Sequence, residues 1–468
     1  MRDFNLLDHG GVGDGATSNT AAFEKAIAAC TQVGGRVIVP AGTFVTGSVV
    51  FLDNVDLHLC RDALIQFSRD FDEYPLVPSD YEGEPTVRCR SPLWAEGKRN
   101  VAITGEGTID GSGDAWRPLK KWKLTEIEWN KLVDDSGVVD ENDVWWPTVA
   151  AKAGEAIADD LRTRNAPLTA EAYAAARDYL RPVLLKFAAC TNVRLEGVTF
   201  RNSPAWNVHL MVCDNVTVRG VRIINPWYSS NGDGLDLDGC RNARIVDSYF
   251  DVGDDAICIK SGKNEAGRSR GRACENVVVD NCVVAHGHGG VTVGSEMSGG
   301  VRNLKVTNCV FNGTDIGLRF KSTRGRGGTV ENVEISNITM HGIKTDAISL
   351  NLYYWVSGDP QPEPFSERTP VFRGMHFRNI TCDGANRAIE IRGLPESPIE
   401  HITFENVRMR STEGVVIIDA IDIRLTDVRV DTQSQTGLRT QNTKRLSVTN
   451  FTTSGAAEGL GSERVGNL

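Results

Sequence analysis

Apolar and polar residues alternate through most of this chain with the two-residue period of a β-strand, and beyond residue 189 the alternation recurs as a repeat. Segments opening Cys190-Thr-Asn-Val-Arg-Leu, Cys213-Asp-Asn-Val-Thr-Val, Cys240-Arg-Asn-Ala-Arg-Ile and Cys274-Glu-Asn-Val-Val-Val share one pattern. It continues at Val301, Val330, Phe372, Ile399 and Ala420, at intervals mostly of 21–34 residues with one longer step from Val330 to Phe372. Each repeat carries a second strand: Gly234-Leu-Asp-Leu-Asp-Gly, Ala256-Ile-Cys-Ile-Lys-Ser, Gly290-Val-Thr-Val-Gly-Ser and Gly317-Leu-Arg-Phe-Lys-Ser, then segments from Ala347, Ala388 and Gly414. A unit of this size cannot bury its own apolar face, so successive units must stack. The pattern predicts an all-β chain, a single-stranded right-handed parallel β-helix spanning residues 1–468.

Two segments break the pattern. Residues 10–15 form a glycine-rich loop, after which Ala22, Phe23, Ala26, Ile27 and Cys30 recur with helical spacing. Ser18 or Asn19 is the expected N-cap of this helix, which is read as a cap on the β stack. The loop lacks the full glycine spacing of a dinucleotide fingerprint, and a strand and turn follow from Arg36. Short strands are then expected at 45–52, 55–60, 64–67 and 101–109. Residues 113–181 differ in composition, with five tryptophans (Trp116, Trp122, Trp129, Trp145, Trp146) and an Ala-rich helical stretch at 169–180. They are read as a mostly helical insertion laid against the main body, its tryptophans mainly core and in part available to stack on sugar rings.

Composition narrows the partners. Forty-seven glycines and 40% hydrophobic residues fit many strands and tight turns around a sizeable core. A formal charge of −10 disfavours nucleic acid, and no apolar run approaches a membrane span. Oligomeric state leaves no mark in the sequence. The eleven cysteines lack any CxxC pair or matching histidine spacing, so neither a metal site nor a cofactor is expected. Their odd number, and residues 1–5 without the apolar stretch of a signal peptide, favour a cytoplasmic location; a trimmed chain would allow a periplasmic or secreted one.

Candidate chemistry lies between residues 231 and 321, in Asn231-Gly232-Asp233, Gly253-Asp254-Asp255, Gly287-His288-Gly289 and Arg319-Phe320-Lys321. Asp233 and Asp255 each precede the second strand of their repeat by one residue, and Asp254 and His288 by two. Arg319 and Lys321 are outward positions of that strand one coil further on. Neighbouring strands lie about 4.8 Å apart, so these motifs are expected to stack. Alone, each Asp or Asn would read as a turn residue and each Arg or Lys as a solvated charge; shared register favours a site. Three adjacent carboxylates cannot all ionise at their reference values, so one should hold a proton near neutrality. That division suits glycoside hydrolysis, with one acid for the leaving oxygen and base function for water. Arg319 and Lys321 suit an anionic sugar, with Lys260, Lys263, Arg268, Arg270, Arg324 and Arg326 adding positive charge nearby.

These motifs, in this order on a parallel β-helix, resemble those of the polygalacturonase family of glycoside hydrolases (family twenty-eight), whose usual forms are Asn-Thr-Asp, Asp-Asp, Gly-His-Gly and Arg-Ile-Lys. The resemblance covers nearly the whole chain and implies a pectin-lyase-like solenoid and inverting hydrolysis of α-1,4-linked galacturonate. It implies Asp254 as general acid, Asp233 and Asp255 as activators of water, and His288 as a residue tuning the acid. Arg319 and Lys321 would hold the substrate carboxylate, with Tyr354 or Tyr353 in the next coil and Asn231 and Lys260 as further substrate contacts. Gly232, Phe320 and Ala256 depart from the family's usual residues but leave the acid and base groups intact. The insertion favours exo action, by closing one end of a cleft. Three rival readings are release of galacturonate or rhamnose from rhamnogalacturonan or substituted pectin, an elimination lyase needing Ca²⁺ bound by carboxylates, and a non-catalytic binding β-helix.

Overall fold

The computed structural model describes residues 2–356, 361–454 and 456–458. The fold is a right-handed parallel β-helix, and the chain divides into two compact units. In the first unit (residues 1–236 and 251–254) three parallel ladders run from coil to coil. One passes through Arg2–Asn5, Gly35–Val39, Val55–Leu59, Arg99–Gly105, Thr191–Glu196 and Asp214–Arg219. A second passes through Gly42–Thr46, Ala63–Phe67, Thr108–Asp110, Thr199–Arg201 and Arg222–Ile224. The third joins Val49–Val50, Leu93–Glu96, Leu185–Ala188 and Val208–Met211.

In the second unit (residues 237–250 and 255–468) the third ladder carries the residues of interest. Ile257 pairs with Val291, Val291 with Leu318, Leu318 with Ile348, Ile348 with Ile389, and Ile389 with Val415. This is the alignment expected from the apolar positions of the second strands, and those residues are buried. Later coils differ from the expectation of short, separate strands. Val371–Arg392 and Ile399–Thr432 are continuous over 22 and 34 residues, because their corners bend without breaking the ladder.

The asparagine of the repeat signature forms one corner of the earlier coils, where Gly374 and His401 take its place later, at φ of 63° and 58°. Asn242, Asn276, Asn303 and Asn332 sit at φ of 55°, 58°, 54° and 56°, a left-handed conformation that asparagine tolerates better than most residues. Their side-chain amides bond in series, Asn276 to Asn242 at 3.0 Å, Asn303 to Asn276 at 2.9 Å and Asn332 to Asn303 at 2.5 Å. A second series runs from Asn406 through Asn379 and Asn337 to Asn308. Each corner amide thus finds a partner in the next coil.

The predicted N-terminal helix is Thr20–Thr31, burying Ala22, Phe23, Ala26, Ile27 and Cys30 against strands of the first coils. Asn19 is its N-cap residue but makes no side-chain cap bond. Its amide instead bonds Val12, Thr17 and Val45, tying the glycine-rich loop to the coil. The stretches expected as strands at 45–52 and 101–109 are each interrupted, around Gly47-Ser48 and Glu106-Gly107. A side chain at Gly105 or Gly107 would press on backbone atoms of residues 59–63, which explains glycine there.

The insertion contains helices Glu126–Asp135, Val149–Thr163 and Ala170–Tyr173, plus a small antiparallel sheet of Leu119–Lys120, Val144–Trp146 and Val138–Val139. Thr169 caps the last helix, and residues 174–179 tighten into a 3-10 turn. Four of the five tryptophans are buried, and Trp122 is exposed. Trp116 stacks on Phe71 and shares a core with Leu161, Tyr173, Ala176 and Leu180. That core also holds Leu76, Val87 and Cys89 of a hairpin, Leu76–Tyr81 and Glu84–Cys89, to which the repeat pattern assigns nothing. No helix among the described residues is long and apolar enough to cross a membrane.

Candidate active site

In the second unit, Asp255 leads into the strand Ile257–Lys260 and is buried. Two coils on, Arg319 and Lys321 point from Ile316–Lys321 toward it. Lys321 Nζ donates to Asp255 Oδ2 at 2.8 Å, and Arg319 Nη1 to Oδ1 at 3.2 Å. From the coil between, Thr292 Oγ1 donates to the same Oδ1 at 2.9 Å. Burial alone would raise this carboxyl's pKa, but Lys321 and Arg319 override it and hold the group well below the usual carboxylate range. Reciprocally, burial opposes the charge on Lys321 but Asp255 restores it and raises the ammonium above its ordinary value.

Tyr354 lies over this pair, its ring centre 5.0 Å from Lys321 Nζ and 5.7 Å from the Arg319 guanidinium carbon. Tyr353 is turned elsewhere: it is buried, with Arg392 4.4 Å from its ring centre. His288 is half-buried with Nε2 3.7 Å from Asp315 Oδ2, and its positive charge, when protonated, favours ionised Asp255. Gly289, the second glycine of Gly-His-Gly, has a steric reason. A Cβ there would lie 2.1 Å from Thr292 Oγ1 and 2.9 Å from Asp255 Oδ1.

Lys260 is buried, with Nζ 3.6 Å from Glu296. Several of the further basic residues are engaged within the fold. Arg270 pairs with Asp238, Arg324 with Glu396 and Glu363, and Arg268 and Arg326 bond loop carbonyls and Asn264. Local charge density overstated their availability, because a linear sequence hides which carboxylates fold against them.

In the first unit, Asn231 adopts φ 53° and accepts from Arg181 Nη2 at 3.0 Å. Arg181, at the end of the insertion, also donates to Pro204 O and Ser230 O. Asp233 is buried, its carbonyl accepting from Asn207 N at 2.9 Å, and Asp254 is half-buried. Buried Asn225 donates to Gly232 O at 3.2 Å and accepts from Ser203 N and the Asn207 amide. Ser229 explains glycine where the family's usual motif has threonine. A Cβ on Gly232 would lie 1.9 Å from Ser229 Oγ, and one on Gly253 would lie 2.4 Å from it.

Thr292, Arg181, Asn207, Asn225 and Ser229 were not singled out by sequence. Thr292 could have been, as the outward position between Cys258 and Arg319 in the aligned strands; the others follow only from turn geometry.

Comparison with known proteins bears on this arrangement. The family model described as glycosyl hydrolases family 28 matches residues 170–427. A probable polygalacturonase of Vitis vinifera is 29% identical over 414 residues, covering 86% of this chain and 73% of its own length. An exo-poly-alpha-D-galacturonosidase of Dickeya chrysanthemi is 28% identical over 440 residues, covering 89% and 69%. Among solved structures, a hyperthermoactive exopolygalacturonase from Thermotoga maritima is 30% identical, with a TM-score of 0.78 and 92% of each chain covered. A family 28 exopolygalacturonase of Yersinia enterocolitica, 24% identical, shares the fold with a TM-score of 0.77 over 95% of this chain and 78% of its own.

Proposed function

Since this chain belongs to glycosyl hydrolases family 28, we propose that it hydrolyses α-1,4-galacturonosidic bonds of poly- and oligogalacturonate, releasing terminal units with inversion. The observation that carries the reading is the buried Asp255 carboxylate held by Lys321 and Arg319, an ionised base beside two cations suited to an anionic sugar. Lys321 and Arg319 favour the ionised form of Asp255, so in this reading the shared proton expected of three carboxylates is not its own. In this reading Asp254 holds that proton and gives it to the leaving oxygen. Asp233 and Asp255 take the proton of the attacking water, and His288 tunes the acid. Arg319 and Lys321 hold the carboxylate of the sugar next to the scissile bond, flanked by Tyr354. Asn231 and Lys260 contribute as polar substrate contacts.

Terminal release is supported by the relatives bearing exo names and by the insertion, which adds a separate packed core to the first unit. Digestion of polygalacturonate should yield monomer early with slow loss of viscosity; a rapid fall in viscosity overturns exo action. Asp254→Asn should lower kcat by about 10²–10⁴-fold. Unchanged turnover in that variant removes Asp254 from its role. Activity in chelator, with no unsaturated ultraviolet-absorbing product, separates hydrolysis from elimination.

A further inference from the structure

Immediately after Tyr354 stands a residue that the proposed chemistry leaves unused. Trp355 is 84% exposed, the highest exposure among the large hydrophobic side chains described. Its backbone is at φ 66°, in the left-handed region where a bulky side chain is a genuine outlier. Val356 N bonds Tyr353 O at 2.9 Å, which closes a turn with Trp355 at its third position. A positive φ at that position calls for glycine or asparagine. Tryptophan there costs conformational energy and gains no burial. Strain held at an exposed aromatic residue beside a binding group points to function.

The surroundings say what it would bind. Tyr354 N donates to Ser322 O at 3.0 Å, and Tyr353 N to Asn351 Oδ1 at 2.7 Å, so the turn is pinned to the end of the strand that carries Arg319 and Lys321 and to the neighbouring strand Asp346–Asn351. Tyr354 faces those two cations, and the Trp355 ring lies 4.8 Å further on, centre to centre, tilted by 50°. The series cation pair, tyrosine, exposed indole leads outward from the group that would hold one sugar carboxylate. A pyranose offers one face of C–H groups, which pack on an indole ring without needing a hydrogen-bond partner.

We infer that Trp355 is a stacking platform for the galacturonate ring following the one whose carboxylate Arg319 and Lys321 hold. It makes the enzyme prefer chains of three or more units over the dimer. The inference rests on the proposed hydrolysis of galacturonate chains. Trp355 is a specificity-determining residue and takes no part in bond cleavage.

Asparagine accepts the left-handed conformation without an aromatic ring, so Trp355→Asn removes the platform while relieving the turn. Kinetics on di- and trigalacturonate, with a melting curve for each variant, test the idea. W355N should melt at or above the wild-type temperature and cleave digalacturonate within about twofold of wild type. On trigalacturonate its kcat/KM should fall about tenfold, carried by KM, the scale of one aromatic stacking contact. Trp355→Phe, which keeps a ring, should recover most of the loss. Equal losses on both substrates, or no loss on either, overturn the platform. A wild-type enzyme that cleaves neither substrate overturns the hydrolysis reading itself, and with it this inference.

Discussion

Asp255 and Lys321 each justify the other's burial. Asp255→Asn takes the counter-charge from buried Lys321, and Lys321→Met leaves Asp255 to Arg319 and Thr292 alone; breaking a buried pair costs up to about 3–5 kcal/mol. Asp255→Asn and Lys321→Met should therefore each lower thermal stability strongly, and the double variant should lose less than the two added together. Strict additivity in melting experiments would show that the pair is not coupled. The sign of the pH dependence follows from the same contact. Asp255 has a folded-state pKa below its unfolded one, so its contribution is present above the ordinary carboxylate value and is lost only as pH falls through the depressed one. The acid limb of activity should accordingly lie above the range in which Asp255 titrates. Single residues were legible in sequence where the chemistry is local: Asp255, Arg319 and Lys321 declared themselves by position in the repeat. Ser229 did not, since its clash with any side chain at Gly232 depends on how residues 229–232 turn.

Along the third ladder of the second unit, the coil after Tyr354 gathers three carboxylates around one arginine. Arg387 lies 3.4 Å from Asp346, 2.9 Å from Glu390 and 3.0 Å from Glu413. Burial, with Glu390 beside it, pushes Asp346 up to about 6 against the pull of Arg387. A carboxyl with a raised folded-state pKa favours the fold below its unfolded value near 3.8 and loses that contribution as pH rises through about 6. Asp346→Asn imitates the protonated form. Its stability relative to wild type should improve by about 2–3 kcal/mol between pH 4 and pH 7. A pH-independent difference would assign the proton elsewhere. At this scale sequence was a good guide where alternation governs, because an apolar residue out of phase would face solvent; hence the pairing of Ile257, Val291, Leu318 and Ile348. It failed at the hairpin Leu76–Cys89, whose two-residue turn at Glu82-Gly83 lies outside the repeat, with φ of 51° and 74°.

For the molecule as a whole, charge sets a competition. The chain carries a formal −10, yet the proposed function has an arginine and a lysine of the candidate site meet an anionic substrate. Long-range repulsion acts mainly on a polymer, whose many charges approach the whole surface, and is screened over about 10 Å at 0.1 M salt. Modest salt should raise kcat/KM on polygalacturonate while leaving that on digalacturonate nearly unchanged. Equal responses from the two substrates would mean that the global charge is irrelevant. Composition alone displayed the net charge; the pairing that withdraws Arg270 and Arg324 from any substrate required the fold.

The helix Thr20–Thr31 has a consequence for solubility. A parallel ladder ends on a strand whose N–H and C=O groups can template another strand, so a bare first coil would invite a second molecule to continue the stack. The helix packs against strands at that end, among them Arg2–Asn5 and Gly35–Val39, and its own backbone hydrogen bonds are already internal. At that end it acts as a chain stopper does in a polymerisation, setting a backbone with no spare hydrogen bonds beside strands that could otherwise be extended.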